Sequence, residues 1–225
     1  MTPTRRLIML RHGQTTYNAG RRMQGQLDTP LSDTGVEQAR AAAKWVEAHE
    51  FPVVKIIASD LSRARDTAAI IAEKLGLEVE LDSRLRETHL GSWQGMTHDD
   101  VDAQFARARA SWRHNPGWAP PGGESRLDVA ARARPLIDGL MNTFQDWDGN
   151  TVLVVAHGGT ISALTSNLLG LEVAQYPLLK GLNNTNTSQL VARPRFTGAA
   201  DAFTTPFNSE DVQWYLEAWN QGLAR

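Results

Sequence analysis

The chain contains no cysteine, which excludes disulfides, cysteine-ligated zinc sites and thiol catalysis and leaves the redox compartment open. Neither sign of charge is in excess, because the formal net charge is -2 at pH 7 and no block of like charges appears. Sequence-independent binding of nucleic acid requires a basic surplus or a basic stripe. We therefore expect no nucleic-acid partner.

Long hydrophobic runs are also missing. The apolar run near the N-terminus covers only Leu7 to Leu10 and stops at Arg11, which is too short for the hydrophobic region of a secretion signal. No run approaches the roughly 20 apolar residues that a membrane-spanning helix needs. We expect a soluble, cytoplasmic protein with no membrane partner.

Three short apolar runs, at 6–11, 53–59 and 151–157, predict buried strands. They are apolar on both faces, which is typical of a parallel sheet covered by helices on each side. Helical patterns separate them, at 33–49 behind Ser32, at 61–75 before Gly76, near Thr97, after Ser125 and after His157. A length of 225 residues fits two small domains or one. The alternation favours one α/β domain over 1–225, a three-layer αβα sandwich with a mostly parallel central sheet.

The region 88–147 interrupts this alternation. Its segment 113–125 is rich in proline and glycine and is predicted to be a loop. The helix after it contains Pro135, which predicts a kink or a fresh turn. We expect 88–147 to form a mostly helical flap or cap inserted into the domain. Further on, the segment 212–219 alternates enough for a strand, although a short helix is also compatible.

Residues suited to chemistry follow all three predicted strands. In chain order they are Arg11, His12, Ser59, Arg63, His157 and Gly158. Ligands bind beyond the carboxyl ends of the strands in an open parallel sheet. Two neighbouring guanidinium groups repel each other unless an anion lies between them, and phosphate offers a tetrahedral set of acceptor oxygens. We predict a phosphate site at this edge, where the backbone N–H of Gly158 at a helix N-terminus also contributes.

Each of these residues alone has a plainer interpretation. A histidine after a strand is more often a surface or hydrogen-bonded residue, and Arg63 alone would be an exposed salt-bridge partner. Only the convergence of the strand ends favours a functional role, and it does so for Arg11, His12, Arg63 and His157. The other histidines have no supporting pattern and are assigned to the surface or to structure: His49, His98 and His114.

The segment "LRHGQTTYN" at 10–18 resembles the signature of the histidine phosphatase superfamily, the phosphoglycerate-mutase-like group. Three further blocks resemble the same family, at 25–39, 59–68 and 154–164. The resemblance extends to about residue 190. It implies the fold described above and an enzyme that works through a phosphohistidine, with no metal and no cofactor.

The resemblance also implies roles for individual residues. His12 matches the nucleophile, Glu87 matches the acid/base glutamate, and Arg11 and Arg63 match the arginines that hold the phosphoryl oxygens. The remaining matches are His157, Asn18 and Gly158 in the phosphate pocket, and Gln24 and Gly25 in the loop that borders the substrate.

These roles agree with physical expectation. An imidazole attacks only through an unprotonated nitrogen, and two neighbouring arginines disfavour a third positive charge. The other ring nitrogen needs an acceptor, for which the carbonyl of Gly13 is a candidate. The leaving group needs a proton that the attacking water later gives up, and one carboxyl group can do both. From local sequence alone, Glu87 would instead pair with Arg84 or Arg86 on the surface.

Three activities remain open from the sequence. In the family's mutases an arginine and a tyrosine after the acid/base glutamate help to hold the substrate carboxylate, whereas here the positions read Thr88 and Leu90. Fewer contacts to a small carboxylated substrate favour a phosphatase over a phosphoglycerate mutase. A binding module without catalysis should have lost His12, an arginine or Glu87, and all of these are present.

The substrate is expected to be a small-molecule phosphate ester. Within the family, 22–32, 84–98 and 118–136 resemble phosphatases that hydrolyse glucosyl-3-phosphoglycerate to glucosylglycerate, a step toward methylglucose-containing polysaccharide. Another sugar or small-metabolite phosphate is the alternative. Tryptophans in or beside the predicted flap could stack on a sugar ring or simply pack: Trp93, Trp112 and Trp118. The aromatic C-terminal segment with Trp214, Tyr215 and Trp219 could close the core or form a homodimer contact.

Overall fold

A computed structural model of the protein describes residues 4–195 and 207–222. Its strands are β1 (Arg5–Arg11), β2 (Val53–Ala58), β3 (Val79–Leu81), β4 (Thr151–Ala156), β5 (Thr187–Pro194) and β6 (Val212–Gln221). Its helices are α1 (Thr16–Ala19), α2 (Asp33–Glu47), α3 (Ser62–Leu75), α4 (His98–Gln104), α5 (Ala108–His114), α6 (Arg126–Thr143) and α7 (Gly158–Leu168). Within these ranges no helix has both the length and the apolar character to cross a bilayer.

The six strands form one sheet in the order β3-β2-β4-β1-β5-β6. The pairs β3–β2, β2–β4 and β4–β1 are parallel, and β5 and β6 extend the sheet in antiparallel fashion. The three predicted strands are therefore neighbours in the centre of the sheet. The registers of Arg11 with Ala156 and of Ala58 with Val155 bring their carboxyl ends level. This arrangement confirms the predicted α/β class with a mostly parallel sheet.

Both faces of the sheet are buried, as the apolar strands predict. Leu7 and Met9 of β1 pack in one core cluster with α6 and α7, whereas Ile8 and Leu10 pack in another with α2 and α3. Side chains alternate between the faces of a strand, so one continuous apolar run supplies both layers. Each such side chain contributes about 1.5–3 kcal/mol when fully buried. The site at the end of β1 thus rests on the most buried part of the molecule.

The predicted helix boundaries agree with the observed caps. The Ser32 hydroxyl accepts the Gly35 N–H at the start of α2, and Thr97 and Ser125 begin α4 and α6 as capping boxes. Gly76 ends α3 with φ of 66°, a left-handed conformation that glycine adopts without steric cost.

The predicted insertion 88–147 contains two differently packed parts. The short helices α4 and α5 surround a small cluster around Trp93. The long helix α6 continues through Pro135 without interruption, and its Leu136 and Ile137 pack in the main core beneath the sheet. By its packing α6 belongs to the helical layer of the sandwich, and the extent of a flap within 88–147 stays a prediction.

The C-terminal segment forms strand β6 rather than a helix. Trp214 is buried in the core cluster that also contains Leu7, so this tryptophan closes the core. Tyr215 points the other way and is 49% exposed on an edge strand of the sheet.

Candidate active site

The carboxyl ends of β1, β2 and β4 bring together the side chains that the sequence singled out. His12 follows β1, Arg63 lies in the first turn of α3 behind β2, and His157 follows β4. All three are buried, with exposures of 2%, 1% and 0%. The imidazole rings of His12 and His157 lie 5.1 Å apart between centroids. Two histidines and two arginines from distant parts of the chain therefore share one buried site.

The environment of His12 fixes its tautomer. Its Nδ1 lies 2.6 Å from the carbonyl oxygen of Gly13, and because a carbonyl only accepts, Nδ1 carries the proton. Burial first of all, and then the charges of Arg11 and Arg63, hold the pKa of His12 well below its ordinary value, although the bond to Gly13 opposes this. The ring is neutral at physiological pH, and Nε2 has a free lone pair.

Backbone carbonyls position the two arginines. Arg63 donates from Nη2 to Gly25 at 2.7 Å and from Nη1 to Leu27 at 2.8 Å. Arg11 donates from Nη1 to Leu182 at 2.5 Å. Burial lowers the pKa of Arg63 to about 10, so it stays charged at neutral pH. Each arginine thus uses some of its N–H donors for backbone carbonyls, and its positive charge remains beside His12.

His157 is held by a residue whose role the sequence did not reveal. Its Nε2 lies 2.9 Å from the Ser59 hydroxyl, at the end of the neighbouring strand. Burial is the largest cause that lowers the pKa of His157 well below the ordinary value, followed by the neighbouring Arg63, His12 and Arg11 side chains. Ser59 therefore positions a neutral ring.

Three buried nitrogen atoms around His12 share one property. They are shielded from solvent and have no hydrogen-bond partner in residues 4–195 and 207–222: Nε of Arg11, Nε of Arg63 and Nδ1 of His157. Buried polar groups are normally paired, so three such atoms in one site indicate that the site is built for a ligand rich in acceptors.

The carboxylate of Glu87 lies at the same site. Its Oε2 accepts the Gly159 N–H at 3.2 Å in the first turn of α7, and its Oε1 accepts the Thr88 N–H at 2.8 Å. A helix N-terminus stabilises negative charge. The surface pairing that local sequence suggested is wrong, because the two neighbouring arginines have other partners: Arg84 pairs with Asp82, and Arg86 with Asp60.

A second set of contacts holds the backbone of Glu87. Its carbonyl oxygen accepts from Nε2 of Gln26 at 3.0 Å and from Nη2 of Arg132 at 3.0 Å. Arg132 lies on α6 and pairs with Glu124, which in turn accepts the His89 N–H. These contacts join residues far apart in sequence, and nothing in the sequence pattern predicted them.

The remaining predicted residues also lie at the site. Asn18 accepts the Thr15 N–H through Oδ1, and Gln24 accepts the hydroxyl of Thr15 through Oε1, so each amide is oriented with its nitrogen as the remaining donor. Gly25 contributes its carbonyl oxygen to Arg63, with a left-handed φ of 54°. Gly158 begins α7, and a Cβ there would lie 3.6 Å from Nε of Arg11.

The loop that carries His12 passes very close to the start of α2. A Cβ on Gly13 would lie 2.4 Å from the carbonyl oxygen of Gly35, and a Cβ on Gly35 would lie 2.0 Å from that of Gln14. The approach is backbone against backbone, which cannot yield as a flexible side chain does. Gly13 and Gly35 therefore allow the loop that carries His12 to pack closely against the start of α2.

A cavity of about 200 Å³ is lined by the catalytic candidates Arg11, His12, Arg63 and Glu87. Besides the residues already described, its wall contains Arg22, Met23, Thr88, Leu90, His98 and Trp112. His98, assigned to surface or structure from the sequence, is exposed at this wall.

Of the three tryptophans considered for sugar stacking, Trp93 is fully buried against the other two, and Trp112 lines the cavity. In the part of the chain that the structure describes, no three His, Cys, Asp or Glu side chains form a group that could hold a metal ion.

This fold and this site define a phosphotransfer enzyme of the histidine phosphatase type. A family model described as the histidine phosphatase superfamily (branch 1) matches residues 7–198. The chain belongs to this superfamily, as its motifs predicted, and is a phosphoric monoester hydrolase.

Two named mycobacterial relatives are similar to this protein over almost the whole chain. A protein of Mycolicibacterium vanbaalenii named glucosyl-3-phosphoglycerate phosphatase is 52% identical over 220 residues, 96% of this chain and 94% of the relative. A protein of the same name from Mycobacterium tuberculosis is 48% identical over 221 residues, with the same coverage of 96% and 94%. A solved structure described as mycobacterial glucosyl-3-phosphoglycerate phosphatase with VO3 has a TM-score of 0.86 and 47% identity, covering 97% of this chain and 100% of that chain.

Proposed function

We propose that this protein hydrolyses glucosyl-3-phosphoglycerate to glucosylglycerate and phosphate through a phosphohistidine on His12. The observation that carries the proposal is a neutral His12, with Nε2 unprotonated, among three buried nitrogens that have no partner among the described residues. The oxygens of a phosphoryl group can satisfy all three. The names of the relatives that match 96% of the chain support the choice of substrate.

In the first step, Nε2 of His12 attacks phosphorus while the bond from phosphorus to the ester oxygen breaks. Charge spreads over the three equatorial oxygens in this transition state. Arg11, Arg63 and His157 are proposed to stabilise it, with Asn18 as a further donor, and their fixed positions avoid reorganisation during the reaction. A proton that Glu87 binds as the anionic ester enters the site passes to the departing ester oxygen, which leaves as the hydroxyl of glucosylglycerate.

In the second step, water attacks the phosphohistidine. Glu87, now ionised, takes a proton from that water while the bond between phosphorus and Nε2 breaks. Phosphate leaves, His12 is neutral again, and Glu87 is protonated as at the start. The N–H groups of Gly159 and Thr88 keep the carboxylate in place through both transfers. Gln24 and Gly25 are proposed to border the substrate, Gly25 through its bond to Arg63.

A substrate panel tests the proposed function. We expect kcat/KM for glucosyl-3-phosphoglycerate to exceed that for glucose 6-phosphate by at least about a hundredfold, because a site that pairs several substrate groups rejects an ester that lacks them. Phosphate release measures each value, and the His12→Ala protein prepared in parallel gives the background. Equal values would contradict the substrate, and interconversion of 3- and 2-phosphoglycerate faster than phosphate release would instead indicate a mutase.

We also propose that the protein acts in the cytoplasm as a homodimer. Tyr215 and Leu216 are exposed on β6, an edge strand, and exposed edges with apolar side chains are suited to pairing with another chain. Light scattering at micromolar concentration should give twice the chain mass of 24.8 kDa, and the mass of one chain would contradict the dimer.

A further inference from the structure

A second cavity adjoins the proposed active site. It has a volume of about 770 Å³ and shares part of its wall with the smaller cavity, namely Arg11, Glu87, Thr88, His98, Trp112 and Gly159. A phosphate ester seated against His12 can therefore extend its leaving group into this space.

Cations dominate the charge of the larger cavity. Beyond the catalytic residues, three segments supply four of them: Arg109 and Arg113 from α5, Arg126 from α6, and Lys180. Glu87 is the acidic residue of the described wall, and its carboxylate is already bonded to the N–H groups of Gly159 and Thr88. A wall with this charge favours an anionic group on the part of the substrate that leaves.

Arg126 differs from the other cations in its surroundings. It is half-buried at the first position of α6, and its Nη1 is shielded from solvent without a hydrogen-bond partner in the described part of the chain. Its guanidinium carbon lies 5.9 Å from the ring centroid of Trp112, which lines both cavities. By contrast, Arg109 is bonded to Asp102 through two nitrogens. A shielded guanidinium nitrogen without a partner is costly, so this donor is suited to a ligand.

We propose that Arg126 binds the carboxylate of the leaving group and thereby selects glycerate esters. The inference rests on the proposed function and names the residue that recognises the carboxylate of its substrate. A guanidinium matches a carboxylate through two parallel hydrogen bonds. Arg126 supplies this cation from α6, whereas Arg11 and Arg63 lie at the phosphate site on β1 and α3.

The test compares two substrates that differ only in the carboxylate, 3-phosphoglycerate and glycerol 3-phosphate. We expect Arg126→Met to lower kcat/KM for 3-phosphoglycerate by between about tenfold and a hundredfold, the range for hydrogen bonds to charged groups. The value of kcat/KM for glycerol 3-phosphate should change by less than about threefold, because this ester has no carboxylate. Arg126→Lys keeps the charge but not the paired donors, so its kcat/KM for 3-phosphoglycerate should lie between those of wild type and Arg126→Met. Circular dichroism checks the fold of each variant.

The matched control is Arg109→Met, which removes an equal charge from the same wall at an arginine that already has a partner. A selective loss in Arg126→Met without one in Arg109→Met supports the proposal. Equal loss on both substrates, no loss on either, or the same selective loss in Arg109→Met would overturn it. If wild-type enzyme fails to prefer glucosyl-3-phosphoglycerate over glucose 6-phosphate while Arg126→Met still shows the selective loss, the proposed substrate is wrong and the role of Arg126 stands.

Discussion

Replacement of His12 by alanine should abolish turnover while the fold remains intact. We expect kcat to fall by at least about 10⁴-fold, because removal of a nucleophile takes away the covalent route and leaves only binding and electrostatic effects. His157 is not expected to replace it, because its Nε2 is bonded to the Ser59 hydroxyl and its Nδ1 is proposed to donate to the phosphoryl group. Phosphate release from p-nitrophenyl phosphate and from glucosyl-3-phosphoglycerate measures the loss.

The control for this variant is His49→Ala. His49 packs against Trp45 and Phe51, away from the proposed site, so its loss should leave kcat within about twofold of wild type. Circular dichroism and thermal melting show whether each variant is folded. Folded His12→Ala protein that keeps its phosphatase activity would rule out the nucleophile assigned here.

Glu87→Gln should slow turnover without preventing phosphate binding. We expect kcat for the alkyl ester glucosyl-3-phosphoglycerate to fall by about 10²–10⁴-fold, the usual range for loss of a general acid or base. Glutamine keeps one oxygen to accept from Gly159 or Thr88 but cannot carry a transferable proton. Arg11, Arg63 and His157 are untouched, so inorganic phosphate should still inhibit the variant competitively.

The choice of leaving group separates the two proton transfers of Glu87. p-Nitrophenolate leaves without a proton, so Glu87→Gln should form the phosphohistidine quickly and lose it slowly. Stopped-flow absorbance should show a burst of p-nitrophenol close to one equivalent of enzyme, followed by a slow steady rate. The control is Glu73→Gln, which changes an exposed glutamate of α3. Equal loss on both esters without a burst would contradict the assigned role.

Much of the site could be predicted because it depends on a simple rule. Apolar runs on both faces predict a parallel sheet, and the carboxyl ends of such strands meet at one edge. That rule alone brings His12, Arg63 and His157 together. Glu87 is different, because it lies in irregular chain among arginines and its local sequence suggested surface ion pairs. Only the resemblance to the family indicated its role.

The parts that the sequence did not predict depend on contacts between distant segments. The Ser59 hydroxyl is hydrogen-bonded to His157. Arg132 donates to the carbonyl of Glu87 from α6, a helix that lies within the predicted flap region. No periodicity encodes such a pair, because each partner has an ordinary local pattern. Pro135 likewise predicted a kink or a fresh turn, yet α6 continues through it, and Leu136 and Ile137 pack in the core beneath the sheet.

The pairing of β1 with β4 has a consequence for how the protein is made. Arg6 pairs with Thr151, so the two partners are 145 positions apart in the sequence. During synthesis β1 leaves the ribosome well before β4, so the strand that precedes the nucleophile has no parallel neighbour until β4 emerges. Contacts this distant in sequence slow the search for the native state. A chain that ends before β4 therefore contains the signature at 10–18 but lacks His157 and the segments that hold Arg11 and Glu87.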